Sequence, residues 1–392
     1  MFERILKKIK PDKKEQLEVT RKVKEFLSKL KLEDADYFLG GSYAKNTWLK
    51  GKHDIDIFIR FDNEENISDK LEKFIKKSFK KYERIHGSRD YFLIKFKNTD
   101  FELVPVLKIN NYKEAKNITD VSPLHVKWVR ENLNSDQCDD ARLAKQFLKA
   151  AGCYGAETYI KGFSGYLIEI LIKYYSSFLK FIENAGNWKY GETIDIMKNS
   201  TFQTDQKFPL TVIDPVQPNR NVASALSYEK FNLFLGYCNE FLRSDKNEIY
   251  FKERKFSIEG FDLIIAAIPL EGSKDVAGTK LLKVYEKILE EINNQNFNVI
   301  YSGWNWNKKA LFCYKVGNEK LDKLEKYFGP PLDMKEDVKN FKTKYKGLQF
   351  GNENNKIFVI KPRKFNDVRQ LIKHLIRNDE NIKKRVKSIS LK

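Results

Sequence analysis

Residues 40–60 read GGSYAKNTWLKGKHDIDIFIR, and this stretch decides the fold. A short apolar run at residues 37–39 leads into Gly40-Gly41-Ser42, and a β-rich run follows at residues 55–61. Side chains alternate between the faces of a strand, so Asp54 and Asp56 project the same way. Two carboxylates on one face of an apolar strand repel each other unless a cation lies between them. Mg²⁺ takes oxygen ligands and keeps nucleotide phosphates in its shell, so Asp-x-Asp on a strand suits a two-metal site for phosphoryl transfer. The Gly-Gly-Ser turn offers backbone N–H groups and a hydroxyl where a helix starts, a natural phosphate cradle. Lys45, one turn on, adds a point charge. The Walker pattern GxxxxGK[ST] is absent.

Working outward, residues 100–106 (DFELVPV) supply a third acid. Glu102 is set in an apolar strand, where an unpaired charge is costly, and Asp100 shares its face. Upstream, Pro11 opens a helical pattern with Val19, Val23, Phe26, Leu27 and Leu30 on one face. A helix is expected over residues 68–82 from a Ser-Asp cap, with strands at 91–96 and 101–107. Helical periodicity then dominates at residues 141–151, 163–183 and 228–242, interrupted by a loop with Asp214-Pro215 and Pro218. Phe163 and Tyr166 read as core aromatics. Beyond residue 247, strands are expected at 263–268, 310–316 and 356–360, and helices at 279–293 and 367–377. Trp304 and Trp306 suit either stacking on RNA or partial burial in a strand. The pattern gives an α+β class in three parts: a mixed-sheet domain at 1–130, a helical part at 131–246, and an α/β part with a basic tail at 247–392.

The 392 residues allow two to four domains at roughly 100–200 residues each. Hydrophobic residues are 41% of the chain, with 29 Phe and 19 Tyr, ample for several cores. The 73 Lys and Arg against 54 Asp and Glu leave a net charge of +19. That sign favours a polyanionic partner, either nucleic acid or an anionic membrane surface. The apolar run at residues 166–172 contains Glu169 and is far shorter than the ~20 residues of a membrane span. The N-terminus lacks the apolar core of a signal peptide. Cys138, Cys153, Cys238 and Cys313 show no CxxC spacing, which fits reduced thiols in a cytoplasmic protein. The four histidines lack zinc-site spacing.

A Gly-Ser turn, a short spacer, an acid–apolar–acid strand and a later acidic strand resemble the nucleotidyltransferase superfamily that includes DNA polymerase beta. Further stretches resemble the archaeal, class I CCA-adding enzymes. These are Gly41-Ser42-Tyr43-Ala44 with Thr47-Trp48-Leu49, Leu103-Val104-Pro105-Val106, Ser122-Pro123-Leu124-His125 and Lys145-Gln146-Phe147-Leu148. Tyr154-Gly155-Ala156-Glu157 and Gly162-Phe163-Ser164-Gly165-Tyr166 are especially close, as is Ile213-Asp214-Pro215 with Arg220-Asn221-Val222-Ala223. Gly329-Pro330-Pro331 stands where the family carries a late GP motif. The likeness thins after residue 250. It implies a polymerase-beta-like head, a helical neck, an α/β body and a basic tail. It implies a transferase that adds C, C and A to the 3′ end of tRNA from CTP and ATP, without a nucleic-acid template. Asp54, Asp56 and Glu102 would hold two Mg²⁺ ions. Gly41, Ser42 and Lys45 would hold the triphosphate. Ser122, His125, Lys145 and Tyr154 would line the nucleotide pocket, and Arg220 would help read the base edge.

Two departures stand out. The family's third carboxylate is commonly Asp, where this chain has Glu102, so Asp100 is a candidate helper. Gln217 replaces a second Asp common in the family. Other readings stay open: a poly(A)- or oligoadenylate-type transferase, an enzyme adding only A or only C, or a catalytically silent RNA-binding protein. The oligomeric state is open, a homodimer included. No membrane partner is expected. The tRNA acceptor arm is expected to meet Lys339, Lys342, Lys344, Lys346, Lys361, Arg363, Lys364, Arg369, Lys373 and Arg377. Affinity for tRNA should then fall roughly 10³-fold or more between about 50 and 200 mM salt. A flat salt titration of the binding constant would remove this patch.

Overall fold

The computed structural model describes residues 1–63, 65–245 and 247–392, which fall into two units, Met1–Arg254 and Lys255–Lys392. The first begins with helices α1 (Phe2–Ile9) and α2 (Lys13–Lys29). Asp12 caps α2 by accepting from the Glu15 amide. Strand β1 (Ala35–Leu39), the single-turn helix α3 (Gly41–Ala44) and strand β2 (Asp54–Phe61) carry the decisive stretch. Helix α4 (Ile67–Ser78) and strands β3 (Glu83–Ile85), β4 (Tyr91–Phe96) and β5 (Thr99–Leu107) complete a mixed sheet of order β1-β2-β5-β4-β3. Only the β2–β5 pairing is parallel. α4 is shorter than expected and starts after Asn66 in the left-handed region, without a side-chain cap.

Alternation divides the sheet's labour. Ile55, Ile57 and Ile59 of β2 join Phe92, Phe101 and Leu103 beneath Val19, Val23 and Phe26 of α2 and Leu71 and Ile75 of α4. Phe26 stacks on Phe101 with centroids 3.9 Å apart. Asp54, Asp56 and Phe58 therefore point to the other side, where Phe58, Val104 and Val106 meet Val126. Val126 belongs to α5 (Ser122–Asn132), which opens the helical part of the unit.

Helices α6 (Ser135–Ala150), α7 (Gly165–Tyr175) and α8 (Phe178–Ala185) follow, then the parallel pair β6 (Glu192–Ile194) and β7 (Leu210–Val212), then α9 (Tyr228–Arg243). Phe147, Phe163, Phe178, Phe181 and Phe234 fill their common core. The sequence suggested one helix over residues 163–183, but it breaks at Ser176, whose φ is 72°. Ser177 then caps α8 by accepting from the Lys180 amide. A serine pair satisfies a new helix start locally, and apolar periodicity runs through it unaware.

The second unit contains β8 (Leu263–Pro269), α10 (Lys274–Asn294), β9 (Val299–Trp306) and β10 (Ala310–Val316). It continues with β11 (Leu324–Pro331), α11 (Lys335–Lys344), β12 (Gln349–Glu353), β13 (Lys356–Pro362), α12 (Val368–Asn378), α13 (Glu380–Lys383) and β14 (Val386–Leu391). One sheet has order β14-β8-β10-β9, and its core includes Leu281, Val284 and Ile288 of α10 and Leu371 and Ile372 of α12. A second has order β11-β13-β12. Gly329 lies against the Phe341 ring of α11, where a Cβ would come within 2.7 Å. The α+β class read from the sequence is observed. Among the described residues, no helix is long and apolar enough to cross a membrane.

One buried side chain fastens the decisive stretch to the helices. Arg142 of α6 is 1% exposed. It donates to the Trp48 carbonyl (3.0 Å), the Asn46 carbonyl (2.7 Å) and side chain (2.8 Å), and Asp139 (2.6 Å). Arg142→Ala should lower unfolding stability by about 3–5 kcal/mol in a urea titration, because it leaves the buried acceptors of Trp48 and Asn46 unpartnered and Asp139 with Lys10 alone.

Candidate active site

The parallel register sets Asp54 opposite Asp100 and Asp56 opposite Glu102. Burial pushes Asp56 up to about 6, with Lys45 opposing and Asp54 reinforcing the rise. Burial, then the Asp56 and Asp54 charges, push Glu102 up to about 7. The three acids thus share a face and a field. Among the described residues, no three His, Cys, Asp or Glu groups already stand together as a metal cage. The donor set still fits a divalent cation, since all three are hard oxygen ligands and their repulsion is what such a charge relieves. Asp100 is exposed and sits 3.8 Å from the Lys95 ammonium.

The glycine turn is built on this strand. The Gly40 amide donates to the Asp56 carbonyl at 2.8 Å. Gly41 has φ 60°, and a Cβ there would lie 1.6 Å from Asp56 Oδ2, so both conformation and space require glycine. A cleft of about 420 Å³ opens beside it, lined by Gly41, Lys45, Asp56, Glu102, Ser122 and His125 among others. Ser42, Lys145, Tyr154 and Arg220 lie outside that lining.

Lys145 is not solvated: it is 2% exposed. Its ammonium donates to Thr47 O (3.2 Å), Thr47 Oγ1 (2.7 Å) and Glu169 Oε1 (2.8 Å). Lys45 donates to Glu169 Oε2 at 2.6 Å and passes 5.6 Å from the Tyr166 ring centroid. Tyr154 is half-buried, and burial raises it to about 12. Its backbone bridges Phe163.

At the other end, Asp214 gathers two of the expected residues, His125 and Arg220, together with Tyr166. The Tyr166 hydroxyl donates to Oδ1 at 3.0 Å, and Arg220 Nη1 donates to Oδ2 at 2.8 Å. His125 Nε2 is 3.0 Å from Oδ2 but off the line of a well-aligned hydrogen bond. Burial lowers the His125 pKa, with Asp214 opposing the shift. Burial works to raise Asp214, but hydrogen bonds and nearby positive charge prevail and hold it at about 2. The Gln217 amide lies 3.4 Å from Asp214 Oδ1, and its side-chain oxygen is buried with no partner among the described residues.

Three residues take places that the sequence did not suggest. Phe163 is core, but Tyr166 lines the cleft and stacks on His125 with centroids 4.3 Å apart. Glu169 stands out in the sequence only as an interruption in an apolar run. Its signal was present, since an acid inside such a run must find a buried cation. Arg89 also lines the cleft, paired with buried Asp120; nothing in its sequence context marks it. Of the basic residues expected to meet RNA, Lys361 and Arg363 share Glu325, and Arg369 reaches Glu319.

A paired acidic strand under a glycine turn, inside this mixed sheet, defines a nucleotidyltransferase, and residues 20–125 match the model of the nucleotidyltransferase domain family. Residues 139–252 match the second domain of tRNA nucleotidyltransferase, and residues 273–390 the C-terminal domain of the CCA-adding enzyme. The CCA-adding enzyme of Methanosarcina mazei is 32% identical over 95% of this chain and 88% of its own length. That of Nanoarchaeum equitans is 35% identical over 76% of each chain, and that of Sulfolobus acidocaldarius 31% over 97% and 92%. The chain belongs to the CCA-adding enzyme family of tRNA nucleotidyltransferases. Among solved structures, a cytoplasmic RNA terminal U-transferase aligns with TM-score 0.52 and 14% identity, covering 65% of this chain and 98% of that one, a likeness of fold.

An acid whose folded-state pKa lies above its unfolded value loses stability as pH rises between the two. For Glu102 that window runs from 4.5 to about 7. Without divalent cation, Glu102→Gln should raise Tm at about pH 8 and leave it nearly unchanged at about pH 4. Calorimetry showing no gain at the higher pH would remove the repulsion.

Proposed function

We propose that the chain completes the 3′ end of tRNA by adding C, C and A from CTP and ATP, with no nucleic-acid template. The observation carrying this is the Asp56–Glu102 register against Gly41, in a chain matching the nucleotidyltransferase domain, the second domain of tRNA nucleotidyltransferase and the C-terminal domain of the CCA-adding enzyme along its length. The tRNA 3′-hydroxyl oxygen attacks the α-phosphorus, a new P–O bond forms, the bond to the β-phosphate oxygen breaks, and pyrophosphate leaves. Asp54, Asp56 and Glu102 would hold two Mg²⁺ ions, which when bound acidify the attacking hydroxyl and offset charge on the leaving oxygens.

The remaining work falls to side chains of the cleft. Lys45, beside Gly41 and Asp56, offsets phosphate charge. Outside the lining, the Ser42 carbonyl accepts from the Thr47 amide, and Lys145 holds Thr47 in turn. Ser122 and the His125 ring offer polar contacts to the nucleotide, and Tyr154 lies under the Lys149 ammonium. Arg220 presents a planar fork of donors to a base edge while Asp214 holds it in place. Lys339, Lys342, Lys344 and Lys346, on and just beyond α11, are exposed cations suited to acceptor-arm phosphates.

Incubating the protein with tRNA ending at the discriminator base, CTP, ATP and Mg²⁺ should give ordered addition of C, C and A, followed by arrest. A long A ladder would indicate a poly(A)-type enzyme, and a single kind of nucleotide a partial one. Asp56→Ala should reduce incorporation by roughly 10²–10³-fold or more, with tRNA affinity little changed in a filter-binding assay. Full activity in that variant would exclude the metal arrangement.

A further inference from the structure

We propose that Glu169 is a positioning residue for nucleotide binding: from inside the helical part, its carboxylate fixes the Lys45 ammonium at the wall of the cleft. The inference rests on the transferase reading above and extends it to a residue that touches no substrate.

Glu169 lies on α7, fully buried. Its two oxygens are divided between two jobs. Oε1 accepts from Thr47 Oγ1 at 2.6 Å and from Lys145 at 2.8 Å. Oε2 accepts from Lys45 at 2.6 Å. Lys145 has its three N–H donors committed to Thr47 and Glu169, so it is a fixed counterion. Lys45 has one hydrogen-bond acceptor among the described residues, and it lines the cleft beside Asp56. Its other donors are therefore available to a ligand on that side.

The charge count explains why two lysines serve one carboxylate. A buried carboxylate with a single cation would be stranded whenever that cation turned to a phosphate. With Lys145 and the Thr47 hydroxyl retained, Glu169 stays ionised while Lys45 shares itself with the triphosphate. Burial works against this ionisation, but the two lysines overcome it and hold Glu169 at about 2. The net positive charge of the trio is thus delivered at one place, the Lys45 side chain. A purely structural acid would have no reason to engage a cation that lines the cleft.

The test is titration calorimetry of ATP and of CTP, with Mg²⁺ and without tRNA, on the full chain and on Glu169→Gln, Lys45→Met and the double variant. Glu169→Gln keeps the size of the side chain and removes its charge. It should weaken nucleotide binding about tenfold or more, while the double variant binds no more weakly than Lys45→Met alone. In turnover, KM for the nucleotide should rise more than kcat falls. Equal losses from Glu169→Gln in both backgrounds, or unchanged affinity in the folded variant, would overturn the proposal. If Glu169→Gln does not fold, Thr47→Val removes two hydrogen bonds of the network and should show the same dependence on Lys45, with a smaller loss. A chain that shows this coupling yet fails to complete tRNA would count against the function above and leave Glu169 in its role.

Discussion

Like charges on neighbouring strands are the constraint around which the first unit is organised. Asp56 and Glu102 face each other across a parallel pairing, with Asp54 one step along. In the folded chain this arrangement opposes stability: burial first, and then the charge of neighbouring acids, raises the pKa of both inner carboxyls. The opposite face of the same strands compensates. Ile55, Ile57, Ile59, Phe101 and Leu103 are essentially inaccessible to water, and burying such side chains contributes roughly 1.5–3 kcal/mol each. One strand can therefore be anchored and electrostatically strained at once, because its two faces answer to different neighbours.

The glycine turn and the lysine next to it are consequences of that geometry. No side chain fits at Gly41 without displacing the Asp56 carboxylate, so backbone alone approaches the acids from above. Positive charge is brought in from the side by Lys45, whose partner lies far along the chain. Asp214 plays a comparable part at the other end of the cleft, drawing Tyr166, His125 and Arg220 towards one carboxylate. Each end of the site thus has a buried acid that touches the cleft only through what it holds.

What the residue order reveals depends on the range of the interaction concerned. Strand alternation is local, so the order of residues alone assigns Asp54 and Asp56 to one face and locates the β2 and β5 segments. The α7–α8 break escapes because two serines outweigh an apolar period that continues past them. Strands β11, β12 and β14 escape because they are half-exposed and lack a continuous apolar signal, and β9 shows only through Trp304 and Trp306, which are partly buried on it. Lys145 is expected to line the pocket but lies outside the cleft lining, and its burial against Thr47 and Glu169 depends on a contact that no local pattern encodes. Tyr166 reads as core because its neighbours are apolar; its hydroxyl and His125 draw it to the cleft instead.

The ion pair between Lys45 and Glu169 joins residues on α7 and just after α3. Arg142 ties the same early segment to α6. The sheet domain has its own hydrophobic core and the outline of a portable module, yet two of its working parts are held by helices translated much later. During synthesis, the acidic strands can pair before the lysine beside them has anything to grip. Recombination that exchanged the sheet alone would therefore carry away the acidic strands and leave behind the helices that hold Lys45 and the segment around Trp48 in place.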